Sequence, residues 1–182
     1  GRRFGFRAAT MPGFTAAMIP ALRLDYGEVR RRVAVMKGLL DRAVEARFLF
    51  EVDGRERHEL LLDLRHRTAH ASDGILDQPG TAGNLPSGEA YIVPYEGEVA
   101  GDPSRSAGTL PVQFGDEVVL FTVEHNVAVR ATGVAEAAAE QARWLAAEPA
   151  YGNLAELGLG VLAELGVEPC GEILLDEKLG LH

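Results

Sequence analysis

The sequence predicts an α+β protein, mostly antiparallel sheet with flanking helices. Three observations carry this. Strand-like runs outnumber helical ones along the 182 residues. They arrive in hairpin-spaced groups, not alternating with helices as βαβ units would. Helical periodicity is confined to two main stretches, residues 25–47 and 134–147. Apolar residues make up 47% and charged residues 25%, enough apolar surface to build a core and too much for a disordered chain.

Residues 1–24 are irregular, punctuated by Pro12, Gly13 and Pro20. Asp25 is an N-cap for a helix running to about Arg47, with Val29, Val33, Met36, Leu40 and Val44 as its apolar stripe. Arg30, Arg31 and Arg32 lie on or beside the opposite, solvated face. Phe48–Val52 reads as a strand, and Asp53-Gly54 as a hairpin turn. On the return strand Leu60, Leu62 and Leu64 alternate with Glu59, Leu61 and Asp63. Residues 65–86 read as loop, with Arg65-His66-Arg67 placed to meet an acidic neighbour or a substrate carboxylate. Ala90–Val93 is a short strand stopped by Pro94.

Leu110–Phe114, Glu117–Val123 and Val127–Ala131 form a second group of strands, turning at Gly115-Asp116 and His125-Asn126. Val134–Ala147 is an alanine-rich helix with Trp144 as a core anchor. Asn153–Gly160 is tight and glycine-punctuated. Leu162–Leu165 reads as helical turn, and Ile173–Leu175 as a short strand. Cys170 reads as a small buried residue.

The net charge of −9 argues against a broad nucleic-acid footprint, and no run approaches the ~18 apolar residues of a membrane span. The single cysteine excludes an intrachain disulfide and favours a cytoplasmic location. Both ends read as interior sequence, which suggests a piece of a longer chain.

Three segments are more pointed than a scaffold needs. In Gly83-Asn84-Leu85-Pro86-Ser87-Gly88-Glu89-Ala90-Tyr91 a carboxylate follows a glycine- and proline-rich loop at a strand start, where it is held rigidly. In Asn153–Gly160, Glu156 is the one charge in an apolar, glycine-rich setting, costly to bury unless paired or metal-bound. In the stretch from Leu174 to His182, two acids precede Lys178 and then His182. Taken singly, each has a plainer reading: Glu89 as a cap or solvent-facing acid, Glu156 as an exposed helix-turn residue, Asp176-Glu177-Lys178 as a charged surface turn. The residues allow a Glu, Glu, His set for a divalent metal without demanding it. His58, His66, His70 and His125 share no ligand spacing.

Asn84-Leu85-Pro86-x-Gly-Glu89, Ala155-Glu156-Leu157-Gly158-x-Gly160 and Leu175-Asp176-Glu177-Lys178…His182 resemble, in order, the motifs of the thermophilic metalloprotease family, metal-dependent aminopeptidases of the T and S type. The resemblance covers roughly residues 75–182. It implies a truncated N-terminal helix-hairpin segment over 1–74. It also implies a metal-site domain over 75–182 with the family's C-terminal fold, itself cut short. The matching positions imply Glu89, Glu156 and His182 as metal ligands. The family pattern continues with a His-x-Asp pair beyond His182 that completes a two-metal site. Gly88 stands where peptidase members often carry a second acid, and Lys178 where they tend to carry Asn. The Leu-Asp-Glu-Lys form resembles a divergent branch that is also similar to 2,5-dihydroxypyridine 5,6-dioxygenases, which hold one iron(II).

The first expectation is therefore an aminopeptidase-like hydrolase, a metalloprotease using zinc, cobalt or manganese. Glu177 and Tyr91 are acid–base candidates by their nearness to the motifs. Two alternatives stand beside it. One is an iron(II) ring-cleaving dioxygenase, with His182 and the later His-x-Asp as ligands and the two glutamates in supporting roles. The other is a non-catalytic binding or dimerisation module with a decayed site. The implied partners are a small peptide or small-molecule substrate and a second copy of the chain in a homodimer, with no nucleic acid and no membrane.

Overall fold

The computed structural model describes residues 4–134 and 136–182. In chain order these form β1 (Ala8–Thr10), α1 (Ile19–Leu22), α2 (Tyr26–Leu40), β2 (Glu45–Val52), β3 (Glu56–Asp63), β4 (His70–Ser72), β5 (Ala82–Asn84) and β6 (Glu89–Ile92). There follow β7 (Ala107–Phe114), β8 (Glu117–Glu124), β9 (Val127–Thr132), α3 (Glu136–Ala147), β10 (Leu157–Gly160) and α4 (Ile173–Asp176). The fold is α+β, and every strand pair but β1–β5 is antiparallel. Among the described residues no helix is long and apolar enough to cross a membrane.

The contacts divide the chain into two discontinuous units. One comprises residues up to Arg42, Thr68–Ile92 and Glu156–His182; the other comprises Ala43–Arg67 and Val93–Ala155. This division differs from the single cut at 74/75 suggested by the sequence.

The first unit holds the three-stranded sheet β10-β6-β4, the parallel pair β1–β5, and α2 packed on β6 and β4. Asp25 caps α2 as expected, its Oδ1 accepting the Gly27 amide at 2.8 Å. Val29, Val33 and Leu40 of α2 are buried, as are Ala90 and Ile92 of β6, on which the helix packs, and Leu162. The helix stops at Leu40, seven residues short of the expected end. Asp41 turns out of it and accepts the Ala69 amide at 2.8 Å. Val44, expected on the stripe, is 64% exposed.

The second unit is the five-stranded sheet β2-β3-β7-β8-β9 with α3 against β9 and β8. Leu60, Leu62 and Leu64 are buried as the alternation predicts. Asp63, expected on the opposite face, is 2% exposed. Its carboxylate accepts hydrogen bonds from Arg65 and from the Arg105 amide. Arg65 also binds Asp102 and lies over the Tyr95 ring, so the basic loop meets acidic neighbours.

Several further expectations are corrected. Residues 65–86 carry β4 and β5 as well as loop. Ile173–Leu175 is the start of α4, not a strand, and 157–160 is a strand. Trp144 is 51% exposed, edge-on to Tyr151, and does not anchor a core. Cys170 is only half-buried. The expected helix start at 134–135 includes Ala135, which lies outside the described residues.

Candidate metal centre

The site is built on β6 and β10, neighbours in the first unit's sheet. Glu89 opens β6, paired with Gly160 on one side and Ser72 on the other, and is 4% exposed. Gly88 before it has φ +156°, and a Cβ there would strike Leu162 Cδ2 at 2.4 Å. The chain has no room at 88 for the second acid seen in peptidase members of the resembled family.

Glu156 directly precedes β10. The sequence left Glu156 open between a buried charge and an exposed turn residue; its side chain is 39% exposed, with Oε1 3.6 Å from His182 Nε2.

His182 arrives by a different route. The last five residues run antiparallel alongside β10, held by reciprocal backbone bonds between Gly158 and His182 at 2.9 and 3.1 Å and by Gly160 N donating to Gly180 O at 2.7 Å. Leu162 N donates to Lys178 O at 2.9 Å. This close pairing accounts for the Gly-x-Gly of the second motif. A Cβ on Gly158 would lie 2.0 Å from His182 Nε2, and one on Gly160 would lie 2.2 Å from the Lys178 carbonyl carbon.

The structure brings Glu89, Glu156 and His182 together, with one donor atom from each lying within 4.8 Å of the others. Among the described residues this is the one such group of three or more His, Cys, Asp or Glu. His182 Nδ1 lies 3.3 Å from Gly180 O, which can only accept, so Nδ1 carries a proton and Nε2 faces the acids. Nε2 is 3.1 Å from Glu89 Oε2 and 3.6 Å from Glu156 Oε1. Glu89 Oε2 is buried and, despite that short distance, makes no well-formed hydrogen bond. Such a cluster requires positive charge at its centre, either a second proton on His182 or a metal ion.

The electrostatics agree. The Glu89 carboxylate beside Nε2 is the largest influence on His182 and raises its pKa against the opposing effect of burial. Burial pushes Glu89 up, but His182 and the Lys178 ammonium outweigh it and hold its pKa below the usual carboxylate range. Burial, reinforced by the Glu89 charge, raises Glu156. One imidazole and two carboxylates form a donor set suited to zinc, manganese or iron(II). The observed orphan oxygen and inward-facing Nε2 fit such an ion.

Around the cluster lies a cavity of about 480 Å³, bordered by Ser72, Ser87, Tyr91, Glu177 and Lys178 as well as Glu89 and Glu156. Ser72 and Ser87 share a hydrogen bond of 2.6 Å. Both acid–base candidates therefore border the same space. Tyr91 stacks on His70 at 5.1 Å, and burial, followed by the charges of Glu156 and Glu89, raises its phenol pKa. A concavity of similar size in the second unit, about 470 Å³, is bordered by acids but includes no imidazole or thiol among its lining residues.

Sequence reasoning missed Lys178. Its side chain is 2% exposed, in ion pairs with Glu89 and Glu177, not part of a surface turn. The signal was present: the acid–acid–lysine run is flanked by Leu174, Leu175 and Leu179, too apolar for a solvated loop.

No family model matches the sequence, and no curated protein sequence matches it either. Among solved structures the chain is similar to 2,5-dihydroxypyridine dioxygenase from Pseudomonas putida KT2440, at 18% identity and TM-score 0.65, over 92% of this chain and 49% of that one. It is also similar to AmpT from Thermus thermophilus, at 15% identity and TM-score 0.56, over 86% of this chain and 40% of that one. The chain thus spans about half or less of each structure it matches. The two neighbours correspond to the two resemblances read from the motifs, and at these identities they establish the shared α+β fold.

Proposed function

We propose that this chain carries the metal site of a metal-dependent, aminopeptidase-like hydrolase acting on small peptides or related small molecules. The observation that supports this reading best is the convergence of Glu89, Glu156 and His182, with the buried Glu89 Oε2 left without a hydrogen bond. In this reading those three residues hold a divalent ion. When bound, such an ion polarises a substrate carbonyl and acidifies water.

The chain's own residues supply the rest. Four carboxylates, Asp73, Glu89, Glu156 and Glu177, against the Lys178 ammonium give the cavity an acidic lining that favours a substrate amine. Glu177 at the cavity wall accepts a proton. The Tyr91 phenol, kept protonated by burial and by its acidic neighbours, donates one. The Ser72–Ser87 hydroxyl pair offers hydrogen bonds to the peptide group. A homodimer belongs to the same reading, and sedimentation of the purified chain tests it.

The experiment is hydrolysis of amino-acid p-nitroanilides under zinc, cobalt or manganese, by this chain and by a full-length homologue. In an active form Tyr91→Phe lowers kcat by about a hundredfold, with metal content unchanged. A second reading, an iron(II) ring-cleaving dioxygenase, is favoured by the likeness to the dihydroxypyridine enzyme over 92% of this chain. Oxygen uptake with a dihydroxypyridine under iron(II), without anilide hydrolysis, would select it.

A further inference from the structure

The side chain that binds Glu89 from the other side is Lys178. Its ammonium is in contact with Glu89 Oε1 and Glu177 Oε1 and is almost wholly removed from water. Its position is fixed by backbone. Lys178 N donates to Leu175 O at 2.8 Å, Lys178 O accepts from Leu162 N at 2.9 Å, and the carbonyl rests where Gly160 has no Cβ. The stem therefore starts from a clamped point beside β10 and ends between two carboxylates.

Glu89 consequently faces two positive centres. Oε1 is taken by the ammonium, and Oε2 points at His182 Nε2 and toward Glu156. A carboxylate that bridges two metal ions with one oxygen on each needs both oxygens free for metal, and here only Oε2 is. Charge points the same way. Asp73 is paired with Arg30, and the remaining cavity carboxylates, Glu89, Glu156 and Glu177, are neutralised by one ammonium and one divalent ion. A second divalent ion would leave two excess positive charges in a partly buried site.

We propose that the Lys178 ammonium is the resident second cation of this site. It occupies the two oxygens, on Glu89 and Glu177, that a second metal ion would need. It thereby limits the site to one divalent ion, held through Glu89 Oε2, Glu156 and His182. This rests on the metal reading above and narrows it from a two-ion to a one-ion centre.

The test is manganese titration of the purified chain, with ion content by mass spectrometry and the electron paramagnetic resonance spectrum of the bound ion. The wild type takes up one ion per chain and shows the six-line spectrum of isolated manganese(II). Lys178→Met removes the charge and keeps the bulk, and takes up two ions with a broadened, exchange-coupled spectrum; Lys178→Arg stays at one. Two ions in the wild type, or one in a folded Lys178→Met, overturns the proposal. No ion in the wild type overturns the metal reading itself, a distinguishable result. Where Lys178→Met does not fold, Lys178→Gln, which also removes the charge, is titrated in its place with the same two-ion expectation, and one ion in it overturns the proposal.

Discussion

At the residue scale, two glutamates of one cluster do different work. Glu89 is the buried counter-charge of Lys178, whereas Glu156 is 39% exposed and pairs only with His182. Removing one partner of a buried ion pair costs about 3–5 kcal/mol, because the other charge is left without compensation. Glu89→Gln is therefore expected to lower unfolding free energy by about 3 kcal/mol in urea titrations as well as to abolish metal binding. Glu156→Gln is expected to leave stability within about 0.5 kcal/mol of wild type while metal binding is lost. Equal stability losses for the two would contradict this assignment.

His182 sets the pH dependence. Its pKa is raised above 6.5, so its imidazolium persists to higher pH than usual, and proton and metal compete for Nε2. Metal affinity is expected to climb as pH rises through a value above 6.5, with Glu156, also raised, steepening the acid side. Glu89, held ionised, contributes no slope there. Calorimetric titrations between pH 5.5 and 8.5 check this, and a flat profile would contradict it.

At the element scale, the strand pair β6–β10 and the tail paired along β10 form the scaffold of the site. Gly158 leaves the space the His182 ring fills, with a Cβ contact of 2.0 Å in prospect, whereas a Cβ on Gly180 would meet nothing within 4 Å. Gly158→Ala is expected to displace the tail and weaken metal binding about a hundredfold, the upper range for a lost supporting contact. Gly180→Ala is expected to bind as wild type does. Titration of both variants, with circular dichroism to confirm folding, separates a built ring pocket from a chance contact.

The hairpins were the legible elements. Asp53-Gly54 and His125-Asn126 all take positive φ, as those residue types permit, so the turns are written locally. The end of α2 was not. Val44 continues the helical spacing, and only the pull of the Glu45–Val52 strand, with Phe48 and Phe50 on its inward face, draws the chain out of the helix. α4 was misread because Ile173-Leu174-Leu175 is apolar in either state, and periodicity cannot decide over three residues.

At the scale of the whole molecule, the α+β class and the antiparallel bias were readable from spacing alone. The convergence of Glu89, Glu156 and His182 was not. Glu89 and Glu156 are joined by strand pairing between distant segments, and His182 by the pairing of the tail along β10, neither of which a local pattern encodes. The ordered motifs supplied those partners by resemblance. The burial of Lys178 lay outside them, since it depends on the register in which the tail pairs with β10. The first unit gathers the site's carboxylates and imidazole at the edge of a small sheet. The second spends its polar residues on structural locks such as Asp63–Arg65–Asp102.

The central claim is that one divalent ion is shared by Glu89, Glu156 and His182. X-ray absorption spectroscopy of the zinc-loaded chain addresses it directly. We expect oxygen and nitrogen neighbours at about 2.0–2.2 Å, with the outer-shell scattering of a single imidazole. That scattering should vanish in His182→Ala. Zinc that is not retained after dialysis, or an imidazole signal unchanged in His182→Ala, would contradict it.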